Sequence, residues 1–172
     1  MSLQANNPAA GDSASDIYLH VQTKRAGKIK GECTVAGHDG DVQVLAWTWG
    51  ASAGSAIGST AATARRQYRH LVVTKGIDSA STGLLSALAT NDEVKEATLT
   101  MNKAGGEALD YYRMTLKNAR VVGVDVDVDG TGRPIERVSF AFTVVDIEYQ
   151  RQDAAGQSAG AFSFTDEVLA SS

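Results

Sequence analysis

Apolar and polar residues alternate along most of this chain, and a period of two is typical of β-strands with one buried face. The clearest example is residues 16–22, where Ile17, Leu19 and Val21 alternate with more polar neighbours. The same pattern predicts strands in these further segments: 28–33, 41–50, 71–75, 96–103, 109–116, 119–128, 135–150 and a short one at 161–165.

One segment has helical spacing instead. Leu84, Leu85 and Leu88 would share one face of a helix, and Ser79 or Ser81 would cap its N-terminus. With about eight strands and a single helix, the fold class is mostly β (α+β). Closing the sheet into a barrel or sandwich is the economical way to protect so few strand edges.

The strand with the sequence DVQVLAWTWG has two apolar faces. Leu45, Trp47 and Trp49 share one face, which is expected to lie in the core. The opposite face, which runs from Val44 to Thr48, is also nearly apolar. We therefore expect a second layer or a partner to cover part of it.

The strand predicted at 135–150 changes phase along its length. One face carries Val138, Phe140, Phe142 and Val144, and the phase then slips to Val145, Ile147 and Tyr149. We interpret this slip as a bulge, or as a strand buried on both faces.

Residues 50–64 are uncharged and rich in Gly, Ala, Ser and Thr. A segment this long, with such small side chains, is expected to be disordered or to be ordered by a neighbour. The basic stretch at 65–70 is expected to be a solvated or intersubunit surface. We divide the chain into a flexible arm (1–15), a barrel domain (16–150) and a C-terminal linker and tail (151–172).

Composition excludes several classes of function. A length of 172 residues suits one domain, and a net charge of −4 does not favour nucleic acid. The single cysteine, Cys33, allows no internal disulfide, which fits folding in a reducing compartment. The N-terminus has no basic and apolar regions of a secretory signal, and no apolar run approaches the roughly 18 residues needed to span a bilayer.

One motif matches the calcium loop of an EF-hand at every ligand position. Its ligands would be Asp125, Asp127, Asp129 and Glu136, with Gly130 at the turn. The flanking residues have strand periodicity, whereas an EF-hand needs a helix on each side. We expect a solvated β-turn here and no cofactor.

No arrangement of residues predicts catalysis. His20, His38 and His70 are scattered and lack metal-ligand spacing with Cys33. The chain also lacks the G-x-S-x-G motif of a nucleophile elbow. The sequence therefore predicts a protein that is not an enzyme.

Several segments in order resemble the Hcp family, the tube proteins of bacterial type VI secretion systems. They are Gly31-Glu32, VLAWTWG (44–50), LVVTKGIDSASTGLLSALAT (71–90), KEATLTMNKAGG (95–106), LDYYRMTLKNARVVGV (109–124) and RPIERVSFAFTVVDIEY (133–149). The resemblance covers residues 16–149, and the tail after residue 150 matches poorly.

The resemblance implies a tight two-sheet β-barrel with one flanking α-helix, similar to phage tail-tube proteins. It also implies a homo-hexameric ring, rings stacked into a hollow tube, and a lumen that carries small effector proteins. Spike and sheath components of the type VI machine would be further partners, without nucleic acid or membrane insertion. Such a tube leaves the bacterial cytoplasm through its own machine, without a cleavable signal.

The family's extended loop maps onto residues 50–64, so this loop is expected to contact a neighbouring subunit or ring. The residues singled out for that contact are Gly50, Ala51, Gly54, Ile57 and Gly58. In a ring of barrels, the second face of the tryptophan strand is either a subunit contact or the inner wall. Thr48 is the most polar residue of that face and is expected to line the lumen.

Two alternatives remain open from the sequence. The first is a non-assembling β-barrel binding module, whose binding would depend on calcium if residues 125–136 held the ion. The second is a small secreted effector built on the same barrel. Native mass separates a ring from a module.

Overall fold

The alternating segments form antiparallel strands in the computed structural model, which describes residues 15–54, 65–103, 109–153 and 158–168. The elements, in chain order, are β1 (Ser15–Thr23), β2 (Gly27–Lys28), β3 (Val42–Val44), β4 (Ala46–Thr48), β5 (Ala51–Gly54), β6 (Arg65–Tyr68), β7 (Leu71–Gly76), α1 (Ala80–Ala89), β8 (Val94–Lys103), β9 (Asp110–Val128), β10 (Pro134–Ala141), β11 (Val144–Gln152) and β12 (Ser158–Glu167).

Ten of these strands form two sheets that share one long strand, and the other two, β5 and β6, pair only with each other. The first sheet has the order β2-β1-β8-β9-β11-β12, with β3 also paired to β1. The second sheet has the order β9-β10-β7-β4. Because β9 belongs to both, the sheets curve around a common interior. The predicted mostly β barrel with one flanking helix is confirmed.

The interior is filled by the apolar positions of the alternating strands. Fully buried side chains come from both sheets and from the helix: Leu19, Val21, Val42, Leu71, Val73, Leu84, Val94, Leu99, Met114, Leu116, Val138 and Phe140. Their burial is the main source of stability, because each such side chain contributes about 1.5–3 kcal/mol when removed from water.

The tryptophan strand is shorter and more bent than its pattern predicts. Val42 and Val44 are buried, whereas Leu45, which was predicted to lie in the core, is 51% exposed. Trp47 and Trp49 are only partly buried against the core. The cause is a change of sheet: β3 pairs with β1, and β4 pairs with β7. The bend at Leu45 inverts the alternation, so Val44 does not share the outward face of Thr48.

The two strands predicted at 109–116 and 119–128 are a single strand, β9. Its first half pairs with β8 and β11, and its second half pairs with β10. Asn118 has a positive φ of 47° at the junction. β8 and the first half of β9 pair as neighbours in the chain, and residues 104–108 between them lie outside the described residues.

The phase slip near Val144 is not a bulge and not a strand buried on both faces. The predicted strand ends at Ala141, and a new strand begins at Val144. β10 pairs with β7 and β9, whereas β11 pairs with β9 and β12. The slip therefore marks the corner at which the chain leaves the second sheet for the first.

The helix buries two of the three leucines predicted for its apolar face. Leu84 is fully buried and Leu88 packs against the core, together with Ala80 and Ala87, whereas Leu85 is 52% exposed. Ser79 occupies the N-cap position without capping through its side chain. Instead, the carboxylate of Asp78 accepts the backbone N–H of Ala80 at 3.0 Å.

The predicted tail contributes a strand to the first sheet. β12 is longer than the predicted 161–165 and pairs with β11 along most of its length. The predicted strand at 28–33 is reduced to β2. Most of the predicted N-terminal arm lies outside the described residues, so the domain limits stay a prediction.

Among the described residues, the one helix is too short to cross a bilayer.

Candidate assembly surfaces

The outer face of the second sheet carries a row of small side chains. Cross-strand pairing places Thr48 beside Val72, Val72 beside Ser139, and Ser139 beside Gly123. A Cβ at Gly123 would lie 3.3 Å from the Ser139 hydroxyl oxygen, so the Ser139 side chain packs closely against Gly123. Thr48 is exposed at one end of this row. The row carries no charged side chain.

The next row of the same face is more polar. It joins Ala46 to Thr74, Thr74 to Arg137, and Arg137 to Asp125. Arg137 also approaches Asp127 at 4.0 Å. Two adjacent rows of the outer face therefore differ in charge: the first row is uncharged, and the second carries charges of both signs.

The start of the predicted 50–64 loop pairs with the segment that follows the loop, and the two strands form a ribbon. β5 pairs with β6 in antiparallel register, from Ala51 opposite Tyr68 to Gly54 opposite Arg65. The carbonyl of Gly50 accepts the backbone N–H of Arg69 at 2.9 Å, which closes the base. Ala51 and Gly54 thus belong to β5 and Gly50 lies at its base, whereas Ile57 and Gly58 lie outside the described residues.

Aromatic side chains pack at the base of the ribbon. Tyr68 stacks on Trp49 with ring centroids 5.6 Å apart and an interplanar angle of 9°. Phe142 packs against both rings, at 6.1 and 6.4 Å. Trp49 therefore supports the ribbon as well as the core.

A fully buried cation joins the second sheet to the helix. The Nζ of Lys75 lies 2.6 Å from a carboxylate oxygen of Glu136 and 2.8 Å from one of Asp78. The hydroxyl of Ser81 also bonds to Glu136, at 2.6 Å. Sequence reasoning overlooks this cluster, although Lys75 follows Leu71 and Val73 in the buried phase of β7, and that phase is the signal.

The carboxylates of the calcium motif do not converge. The register of β9 and β10 places Asp125 opposite Arg137 and Glu136 opposite Val126, so Asp125 and Glu136 point to opposite faces. Glu136 is bonded to Lys75. The side chain of Asp129 closes the turn by accepting the N–H groups of Thr131 and Arg133. The residues therefore do not fit a calcium loop, and they form the β-turn that was predicted.

The pKa of Asp129 is lowered by these bonds, first by the hydroxyl of Thr131 and then by the backbone N–H groups. The carboxylate is consequently ionised at neutral pH and engaged by its own turn. Such an Asx-type turn is a local structural device rather than an ion cage.

Two of the scattered histidines meet at one carboxylate. One carboxylate oxygen of Asp41 lies 3.0 Å from Nδ1 of His20 and 3.1 Å from Nζ of Lys28. The other oxygen lies 3.3 Å from Nδ1 of His38. Burial raises the pKa of Asp41, but hydrogen bonds from His20, Lys28 and His38 outweigh it, so the pKa is lowered. His38 also bonds to Asp110 and stacks on Tyr18.

This cluster depends on a close approach at Gly31. A Cβ on Gly31 would lie 2.3 Å from the carbonyl oxygen of Asp41, a distance that no side chain tolerates. The resulting loop lies beside a polar concavity of about 660 Å³ on the outer face of the first sheet. Threonines and paired charges line that concavity, including Lys117 with Asp146 at 3.2 Å.

The edge strand β12 exposes aromatic side chains. Phe162 and Phe164 are 63% and 49% exposed, and Tyr149 on the neighbouring strand is 44% exposed. Phe162 and Tyr149 contact each other with centroids 6.5 Å apart. The edge also carries Asp166, which bonds to the ribbon through Arg66 and Tyr68.

Comparison with known proteins is consistent in sequence and in fold. A family model described as "Type VI secretion system effector, Hcp" matches residues 18–149. The chain is similar to the protein hcp1 of Pseudomonas aeruginosa, with 33% identity over 151 residues that cover 86% of this chain and 90% of the relative.

Two solved structures have a similar fold. A structure of a type six secretion system protein superposes with a TM-score of 0.76 at 26% identity, covering 87% of this chain and 92% of the other. Hcp1 from Salmonella typhimurium superposes with a TM-score of 0.69 at 27% identity, covering 90% and 94%.

Proposed function

Because the chain belongs to the Hcp family of type VI secretion proteins, we propose that it is the subunit of a secreted tube. The family is a structural one and not an enzyme family. In this proposal, six copies close into a ring, and rings stack into a hollow tube. A closed ring needs a head-to-tail contact between two different surfaces of the same chain.

The observation that carries the proposal is the outer face of the second sheet. The row from Thr48 to Gly123 carries no charge, Thr48 is exposed, and the other members of the row are partly exposed. A folded cargo protein could pack against such a surface without a specific charge partner. We propose that this face lines the lumen, with Thr48 exposed to cargo, and that small effector proteins are carried there.

The ribbon is the second part of the proposal. Its β5 side chains are all exposed, so this strand buries little against its own barrel. We propose that Gly50 at the base of the ribbon, Ala51 and Gly54 within it, and also Ile57 and Gly58 contact a neighbouring ring. An element that extends away from its own core is suited to contact another molecule.

Export follows from the same assembly. We propose that the tube forms in the bacterial cytoplasm and leaves with the spike and sheath components of the machine, without a cleavable signal. Passage would expose the outer surface of the tube and shelter its lumen.

Native mass spectrometry of the purified chain at micromolar concentration tests the ring. The expected mass is six times the 18.0 kDa of the monomer. A monomeric mass at neutral pH and moderate salt would overturn the proposal of a ring that closes by itself.

A further inference from the structure

One carboxylate on the C-terminal strand gathers two side chains of the ribbon. Nη2 of Arg66 donates to one oxygen of Asp166 at 2.9 Å, and Nε of Arg66 donates to the other. The hydroxyl of Tyr68 donates to that second oxygen at 2.5 Å. A two-pronged arginine–carboxylate pair fixes orientation as well as distance, because both N–H groups must align at once.

Both ribbon partners lie on the same strand and the same face. Arg66 and Tyr68 are two positions apart on β6, so their side chains point together toward β12. Tyr68 is also held by its stack on Trp49 and its contact with Phe142. The carboxylate therefore continues a chain of contacts that begins in the core.

The position of Asp166 on β12 is what allows this contact. The register places Asp166 opposite Val145, a buried residue of β11, so its side chain points to the interior side of the edge strand. Thr143 accepts the N–H of Val168 at 2.6 Å and fixes the end of the strand. Asp166 thus lies where the first sheet ends and the ribbon begins.

We propose that Asp166 is a positioning residue that holds the ribbon at a fixed angle to the barrel, so that the C-terminal strand and the ribbon move as one unit. The inference rests on the proposed function only where it treats the ribbon as a ring contact. The positioning itself is a property of the isolated chain.

The protonation states agree with this arrangement. The pKa of Asp166 is lowered, chiefly by the hydrogen bond from Arg66 and then by the one from Tyr68. Burial, followed by the bond to Asp166, raises the pKa of Tyr68. At neutral pH the carboxylate is ionised and the hydroxyl keeps its proton, which is the state that the contact requires.

Hydrogen–deuterium exchange on the purified chain tests the proposal. In Asp166→Asn, amide exchange in β5 and β6 is expected to rise about two- to fivefold, the range for loss of a well-aligned surface ion pair. Exchange in β7 and α1 is expected to stay at the wild-type level. Glu167→Gln removes the same charge from the next residue and should leave the ribbon unchanged.

A charge exchange guards against a variant that is merely misfolded. Combining Arg66→Asp with Asp166→Arg should recover part of the ribbon protection that each single variant loses. Wild-type exchange rates in the ribbon of Asp166→Asn would overturn the proposal, as would equal loss of protection throughout the barrel without recovery in the exchanged pair.

Sedimentation of stacked rings separates this inference from the proposed function. Faster ribbon exchange with weaker stacking supports both. Faster ribbon exchange with normal stacking keeps the positioning role and contradicts the ribbon as a ring contact. Unchanged exchange overturns the positioning role, whatever the stacking.

Discussion

Lys75 is fully buried, and its partners explain why the barrel tolerates a cation in its interior. Taking a charge out of water costs several kcal/mol unless hydrogen bonds and counter-charges replace the lost solvation. Glu136, Asp78 and Ser81 supply them, and they connect the second sheet to the start of the helix. The cluster therefore fixes where the helix attaches.

Replacing Lys75 by methionine should destabilise the chain by about 3–5 kcal/mol, because two carboxylates lose their buried counter-charge. Lys95, an exposed lysine on β8, provides the control. Lys95→Met should change the free energy of unfolding by less than about 0.5 kcal/mol. Urea denaturation measures both, and equal midpoints for the two variants would show that the buried cluster is not stabilising.

Asp41 predicts a pH dependence of stability. Its folded-state pKa is lowered, so it stabilises the fold above the ordinary aspartate pKa of about 3.9 and loses this effect as pH falls through the lowered value. Asp41→Asn should therefore be less stable than the wild type at pH 7. The difference should shrink below about pH 4 in denaturation curves measured across pH. A difference that stays constant from pH 7 to 3 would contradict this assignment.

Single residues were the hardest feature to predict from the sequence. The phase of Lys75 was visible in the pattern, but its three partners come from separate elements and only the fold brings them together. His20 and His38 are distant in sequence and meet because a loop closes at Gly31. Neither cluster of side chains corresponds to a spacing motif in the sequence.

At the scale of elements, the alternation located the strands of the two large sheets, missed the ribbon strands β5 and β6, and failed at the corners. The tryptophan strand, β9 and the 135–150 segment each pass between the two sheets. Periodicity indicates which face of one sheet is buried. It does not indicate the residue at which the chain passes from one sheet to another. A corner and a bulge therefore give the same pattern.

The ribbon predicts what shortening the loop will do. Replacing residues 55–64 by an Asn-Gly turn lets β5 and β6 close as a tight hairpin. The native mass of the ring should be unchanged, and sedimentation of stacked tubes should be lost. A loop of the original length made of glycine and serine tests sequence against length. Normal tubes from the shortened chain would exclude a role for the loop in stacking.

At the scale of the whole molecule, the barrel presents surfaces of different character. The second sheet offers a small, uncharged row, the first sheet a polar concavity, and β12 an aromatic edge. Fold and family followed from segments spread along residues 16–149, because the whole set is specific where single motifs are not. The role of each surface does not follow from the sequence, because one chain carries no information on the shape of its partners.

Thr48 tests the lumen. Thr48→Arg adds a long charged side chain to the uncharged row and should reduce cargo binding while the ring mass stays normal. Trp47→Ala removes a partly buried ring that stacks on Tyr112, and it should lower the free energy of unfolding by about 3 kcal/mol. Co-purification of a small effector with each ring measures the contrast. Loss of the ring in Thr48→Arg would place Thr48 at a subunit contact instead.

Cys33 gives this chain a practical advantage. It is the single cysteine and is 7% exposed, so a thiol reagent finds little to modify on the folded chain. A cysteine introduced on any surface can then be labelled with little competing reaction at Cys33. Labelling rates at successive positions of the second-sheet face, the concavity and β12 would record which surfaces a neighbouring copy shields and which remain open to reagent.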